Sequence, residues 1–122
     1  MRRISCAMTT DAVRDRTKTV TRRHVDTWKT LKVGDRLTIV EKAMGLRKGE
    51  RQVVLAEVEV IDVRVEPITW IFREPNGCAD EGLQEMSHAE FIRFWTQAHG
   101  YGTPPFSEMQ AIPCRRIQWV YR

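Results

Sequence analysis

QVVLAEVEVIDVRV, running from Gln52 to Val65, is the longest β signal in the chain, and its reading decides the fold. Val, Ile and Leu at this density favour a pleated strand. The apolar parity changes midway: Val58 and Val60 share one face, while Ile61, Val63 and Val65 fall on the other. Such a change predicts a bulge near Val60, or a strand buried on both sides. On the N-terminal side, the turn Arg47-Lys48-Gly49-Glu50 separates it from a strand over Arg36 to Glu41, which itself follows the turn Lys32-Val33-Gly34-Asp35. On the C-terminal side, Ile68, Trp70 and Phe72 continue the alternation past Pro67 until Pro75-Asn76-Gly77 ends it.

The flanks add shorter elements. Arg3 to Met8 alternates like a strand, and Thr9 or Thr10 offers a cap to a short helix over Asp11 to Asp15. Lys18 to Arg22 is rich in β-branched residues, so it is extended or a bend leading into a strand; a brief helical turn is expected around Trp28 and Leu31. Ser87 to Ala98 is the clearest helix, with Ser87 and Glu90 spaced as a capping box and Phe91, Phe94, Trp95 and Ala98 on one apolar face. Cys114 to Tyr121 reads as the last strand, with Ile117, Trp119 and Tyr121 on one side. Strands in hairpin order with two or three helices outside predict an α+β fold built on a small mixed β-barrel.

At 122 residues the chain suits one domain, 1–122, and no repeat or linker divides it. Hydrophobic residues at 42% against 30% charged, with a mean hydropathy of -0.43, exclude the disordered and membrane classes. No apolar run approaches the roughly 20 residues of a membrane span, and the charged start lacks a signal-peptide core. Cys6, Cys78 and Cys114 are too few and too scattered for a disulfide framework, which favours a reducing, cytoplasmic setting. The net charge of +4 is unevenly spread. Residues 1–40 carry ten Lys/Arg against four Asp/Glu, whereas residues 41–90 carry six against eleven.

Several residues qualify for nucleic-acid or ligand contacts. Arg16, Arg22 and Arg23, with Arg2, Arg3 and Arg14 nearby, supply guanidinium groups suited to phosphates. Trp28, Trp70 and Phe72 could stack on bases, although small barrels use such side chains mostly as filling; Phe94 and Trp95 are expected in the core. His24, His88, His99 and the cysteines lack the local spacing of a zinc site, so neither a metal nor another cofactor is expected. No Walker loop or GxGxxG motif is present.

The order KTVTRR (Lys18 to Arg23), LKVGDRLTI (Leu31 to Ile39), the long β segment to Val65, Asp80-Glu81-Gly82-Leu83, the helix with Phe91 and Trp95, and the final Ile117-Gln118-Trp119-Val120-Tyr121 resembles an ASCH domain. That resemblance covers essentially the whole chain and implies a PUA-like β-barrel with RNA or a modified nucleobase held in a cleft beside it. One small bacterial branch of the family hydrolyses N4-acetylcytidine to cytidine and acetate, using a Lys, a Thr three residues later and a Glu. Carried over by position, these fall on Lys18, Thr21 and Glu81. Amide hydrolysis needs a nucleophile, a group to take its proton and one to protonate the leaving amine. On that chemistry Thr21 is the candidate nucleophile, Lys18 its base if burial leaves a fraction neutral, Glu81 the acid, and Arg22 or a backbone N–H the oxyanion partner.

In a regular strand, residues three apart face opposite ways, so Lys18 and Thr21 converge only if the chain bends there. On spacing alone Lys18 is a solvated lysine of a basic run, Thr21 an ordinary strand threonine and Glu81 a loop carboxylate. Relative to the smallest members of the branch, this chain is longer between Gly45 and Gln52, between Trp70 and Asp80, and over Tyr101 to Phe106. The expected partner is RNA or a modified pyrimidine nucleoside. The alternatives are a non-catalytic RNA- or DNA-binding module, and a viral or mobile-element accessory protein that acts on a host protein.

Overall fold

The computed structural model describes residues 2–122. In chain order its elements are β1 (Arg2–Ser5), α1 (Thr10–Arg14), β2 (Val20–His24), β3 (Arg36–Val40), β4 (Val54–Pro67), a 3₁₀ helix (Ile68–Arg73), α2 (Gly77–Asp80), α3 (His88–Ala98), α4 (Phe106–Met109) and β5 (Pro113–Tyr121). The five strands form one sheet in the order β1-β3-β4-β5-β2. Only β1 and β3 run parallel; the other pairs are antiparallel. The sheet curls into a half-barrel, and its edge strands come within side-chain reach: Arg23 Nη2 of β2 donates to Ser5 O of β1 at 2.6 Å. The fold is therefore α+β and barrel-like, with an open seam between β1 and β2.

β4 is the spine of this sheet. It pairs with β3 on one side and β5 on the other, and its register against β5 shifts between Val60 and Asp62. That bulge is what the change of parity calls for: Val58 and Val60 are fully buried, while Ile61 at the shift is exposed. Inside the curl, Ile4, Leu37, Ile39, Val58, Val60, Ile117 and Trp119 form one core. A second core lies beneath the helices, where Ile68, Ile71, Phe91, Ile92 and Trp95 meet Cys114 of β5. β5 is thus buried on both faces, with Ile117 and Trp119 turned to one core and Cys114 to the other.

Arg116 shares a face with Cys114 and stands in register with Arg22 of β2 and Arg64 of β4. Three arginines in a row across a sheet would repel one another. Carboxylates offset this: Glu74 and Glu81 meet Arg22, Glu74 and Asp62 meet Arg116, and Asp62 and Glu66 meet Arg64.

Three expectations are corrected. Ile68 to Arg73 is a 3₁₀ helix rather than a continuing strand. The ladder ends where Pro67 pairs with Pro113, so an extended chain beyond it would have no partner. A three-residue repeat then buries Ile68 and Ile71 and turns Trp70 and Phe72 outward. The stretch around Trp28 is a set of turns in which Trp28 itself takes φ +57°, and no helix forms. Helical segments number five among the described residues, against the two or three expected, because α2, α4 and the 3₁₀ helix are too short to show a periodicity.

α3 begins as its sequence says. Ser87 Oγ accepts from Glu90 N at 3.1 Å, and Glu90 Oε1 accepts from Ser87 N at 3.0 Å. Ser87→Ala is expected to lower stability by about 1 kcal/mol, read as a lower midpoint in thermal unfolding.

Candidate functional site

The segment between α1 and β2 makes the bend that Lys18 needs. Arg16 takes φ +66° at the end of α1, and the N–H groups of Thr17 and Lys18 both donate to Ala12 O, at 2.9 and 3.0 Å. Thr19 N then donates to Asp80 O at 2.8 Å, and the regular ladder starts only at Val20. Strand alternation therefore does not govern Lys18. Its carbonyl is pinned from β5 by Trp119 Nε1 at 3.1 Å and by Tyr121 OH. Its side chain folds back over its own strand, donating to Val20 O at 3.0 Å and Glu81 O at 2.6 Å, with Glu81 Oε1 3.6 Å away.

Glu81 is presented by the end of α2. Its N–H donates to Gly77 O at 3.1 Å, and the next residue, Gly82, takes φ +84°. A Cβ on Gly82 would lie 2.9 Å from Ala12 Cβ and 3.1 Å from Thr9 side-chain carbons. Both the conformation and the space there require glycine. Gly82→Ala is expected to cost about 1–3 kcal/mol in chemical denaturation, because α1 and the Glu81 turn must separate.

Lys18, Thr21 and Glu81 are each at least 96% buried, since their exposures are 3%, 4% and 4%. All three line one cavity of about 230 Å³. The Thr21 hydroxyl accepts from Arg23 Nε at 3.0 Å, the same guanidinium that reaches across the seam to β1. Cys6 and Thr9 come in from the loop after β1, and Phe91, Phe94, Trp95 and His99 form the wall supplied by α3. Trp95 Nε1 donates to Arg22 O at 2.9 Å and so ties that wall to β2.

Burial pushes the Cys6 thiol up, against the downward pull of Lys18 and Arg23. A protonated thiol is a poor nucleophile. Burial likewise raises Cys114, to about 12. Among the described residues no group of three or more His, Cys, Asp or Glu side chains is placed to hold a metal ion.

The other sequence candidates are placed differently. Arg22 has a fully buried side chain whose Nη atoms are taken by Glu74 and Glu81, so its charge is committed inside the protein rather than offered to a phosphate. Arg16 is exposed and lies 5.7 Å over the Tyr121 ring. Trp28 packs against the curl core with Arg2 4.5 Å above it. Trp70 is exposed, with Arg73 3.9 Å over its ring, in a separate groove with Phe72 and Phe106. Arg16, Trp28 and Trp70 do not line the cavity. Trp95 is buried as expected, but Phe94 is only half-buried, and both face the cavity. His99, Cys6 and Thr9 carry no spacing signal that would have singled them out, because the parallel β1–β3 pairing and the helix end bring them in from far along the chain.

Glu74, shared by Arg22 and Arg116, has an observable signature. Burial alone would raise its carboxyl, but the Arg116 hydrogen bond and the charges of Arg22, Arg116 and Arg64 hold it below the usual range. A carboxyl depressed in the fold contributes stability above its unfolded pKa and loses it as pH falls through the folded value. Stability is therefore expected to decline from about pH 4.5 downward. Glu74→Gln should flatten that decline in unfolding curves taken at successive pH values.

The fold has solved counterparts. The chain is similar to protein EF3133 from Enterococcus faecalis V583, a structure of the DUF984 family, at 17% identity and a TM-score of 0.56, covering 93% of this chain and 69% of that one. It is also similar to the hypothetical protein PH0355, at 14% identity and a TM-score of 0.58, covering 99% of this chain and 96% of that one. At such identities the likeness concerns the fold alone. No protein-family model matches the chain, and no curated protein matches it. The class defined here is an α+β half-barrel with a buried Lys-Thr-Glu cavity under its seam. No helix among the described residues is long and apolar enough to cross a membrane.

Proposed function

We propose that this chain is a PUA-like domain of ASCH type whose cavity takes a modified pyrimidine nucleoside and hydrolyses an N4-acyl cytidine to cytidine and the free acid. The observation that carries this reading is the convergence of Lys18, Thr21 and Glu81 on one cavity beside an aromatic wall. The cavity, at about 230 Å³, is below the 300 Å³ or so at which ligand pockets commonly begin, which suits one base rather than a polynucleotide. Two of its three cations are answered by carboxylates, Lys18 by Glu81 and Arg22 by Glu74 and Glu81, and the third, Arg23, is engaged by Thr21 Oγ and Ser5 O. An uncharged ligand fits such a site better than a phosphate chain does.

The roles follow from the hydrogen bonds. Lys18 Nζ donates to two carbonyl oxygens, and Glu81 Oε1 at 3.6 Å is beyond hydrogen-bond length, so the third N–H of the ammonium serves the acyl oxygen in place of the base role expected of Lys18 from the sequence. Thr21 Oγ attacks the acyl carbon, and its proton passes to Glu81 and on to N4 as the C–N bond breaks. Water then cleaves the threonine ester, releasing the acid and restoring the hydroxyl.

The non-catalytic nucleic-acid module keeps one observation of its own, the exposed groove of Trp70, Phe72 and Phe106 beside Arg73. Salt separates the two readings. Calorimetric titration with N4-acetylcytidine and with single-stranded RNA, at 50 and at about 200 mM salt, should give nucleoside binding that barely changes. Binding of RNA alone, falling steeply with salt, would overturn the nucleoside reading.

A further inference from the structure

The chain has three histidines, and their hydrogen bonds distinguish them. His24 Nδ1 accepts from Asp26 N at 3.1 Å, which leaves Nε2 to donate to Tyr101 OH at 3.3 Å. His88 Nε2 meets Glu74 O at 2.8 Å and is spent there as a donor. His99 differs in being a lining residue of the cavity. Its Nδ1 lies 2.8 Å from Trp95 O, a carbonyl that can only accept, so the ring hydrogen sits on Nδ1. Nε2 then carries a lone pair, and it meets no partner among the described residues.

The ring is also held in place. It stacks on Trp95 at 4.1 Å between centroids and on His24 at 6.4 Å. Burial is the main influence lowering its pKa, with the nearby charges of His24 and Arg23 acting the same way, and the Trp95 carbonyl and Glu81 opposing. At neutral pH the cavity is therefore walled on its α3 side by a fixed, neutral acceptor, and on its β2 side by Lys18 as a donor.

We propose that His99 reads the nitrogen side of the substrate amide: Nε2 accepts the N–H of an N4-acyl cytosine while Lys18 holds the acyl oxygen, so the cavity takes secondary amides and rejects N-methylated ones. The inference rests on the amidohydrolase reading above and goes beyond it by assigning a selecting residue and an excluded class of substrate. His99 acts as a positioning and specificity residue; the bond-making atoms remain those of Thr21, Glu81 and water.

The test compares kcat/KM for N4-acetylcytidine and N4-acetyl-N4-methylcytidine. The wild type should favour the N–H substrate by about tenfold or more, because the methylated one forfeits the hydrogen bond to His99 Nε2 and places a methyl group against it. His99→Phe keeps a ring against Trp95 without the acceptor and should lose that preference; His99→Gln keeps an acceptor near the Nε2 position and should retain most of it. A second measurement needs no variant. As pH falls and His99 takes a proton, in the company of His24, Arg23, Glu81 and Tyr101, Nε2 becomes a donor, and the wild-type preference should collapse.

An unchanged preference in His99→Phe would mean that the methyl group is excluded by shape, and would overturn the assignment while leaving the amidohydrolase reading intact. Equal rates on both substrates by the wild type would do the same. Hydrolysis of neither substrate would overturn the amidohydrolase reading, and this inference with it.

Discussion

Glu81→Ala is expected to lower the unfolding free energy by about 3–5 kcal/mol, the range found when one partner of a buried ion pair is removed. Glu81 is the shared counterion of two buried cations, with Oε2 3.0 Å from Arg22 Nη1 and Oε1 3.6 Å from Lys18 Nζ. The side chains of Lys18 and Arg22 are 4% and 0% exposed, so neither can turn to water once the carboxylate is gone. Arg22 keeps Glu74, whereas Lys18 keeps only two carbonyl oxygens. Lys18→Met in the Glu81→Ala background should therefore recover part of the loss, because it removes the cation left without a carboxylate. Urea unfolding of the wild type, Glu81→Ala, Lys18→Met and the double variant gives the coupling directly. A Glu81→Ala variant within about 1 kcal/mol of the wild type, the worth of an exposed pair, would mean that the cluster is more hydrated than its burial indicates.

Thr21→Ala carries the second large effect, on turnover rather than on stability. The hydroxyl accepts one hydrogen bond, from Arg23 Nε, and alanine also lacks the buried Cγ2 methyl, so the fold should lose about 1–2 kcal/mol. Hydrolysis of N4-acetylcytidine should fall by at least about 10³-fold in kcat, as is usual when the nucleophile of a cooperating set is removed. Lys18→Ala should reduce kcat comparably but destabilise the protein as well, since Glu81 then loses a partner. The contrast between the two variants separates chemistry from support. A Thr21→Ala enzyme retaining a tenth or more of wild-type kcat would point to direct attack by water, with Thr21 only holding it.

Much of the frame was legible in the residues because it is locally encoded. The parity change from Val58 and Val60 to Val63 and Val65 marks the bulge, and Ser87 with Glu90 marks the start of α3. Ile68, Trp70 and Phe72 misled because their alternation is genuine, while the partner strand that an extended chain would need ends at Pro113, far along the sequence. The placing of Lys18 and Thr21 on one cavity was not legible from spacing. It depends on Arg16, not a glycine, taking the left-handed conformation that takes residues 17–19 off the ladder. Arg22 looked like a phosphate ligand beside Arg23, and only the distant Glu74 and Glu81 reveal it as an internal cation. His99 had no motif around it, and its role emerges only from the Trp95 carbonyl that fixes its tautomer.

The most direct test incubates the purified chain with N4-acetylcytidine and follows cytidine by chromatography, with Thr21→Ala and Lys18→Ala alongside as folded controls verified by circular dichroism. Release of cytidine by the wild type, lost in both variants, is the predicted result. No release by the wild type, under conditions in which an N4-acetylcytidine amidohydrolase is active, would contradict it and leave the Lys18-Thr21-Glu81 cavity without the proposed chemistry.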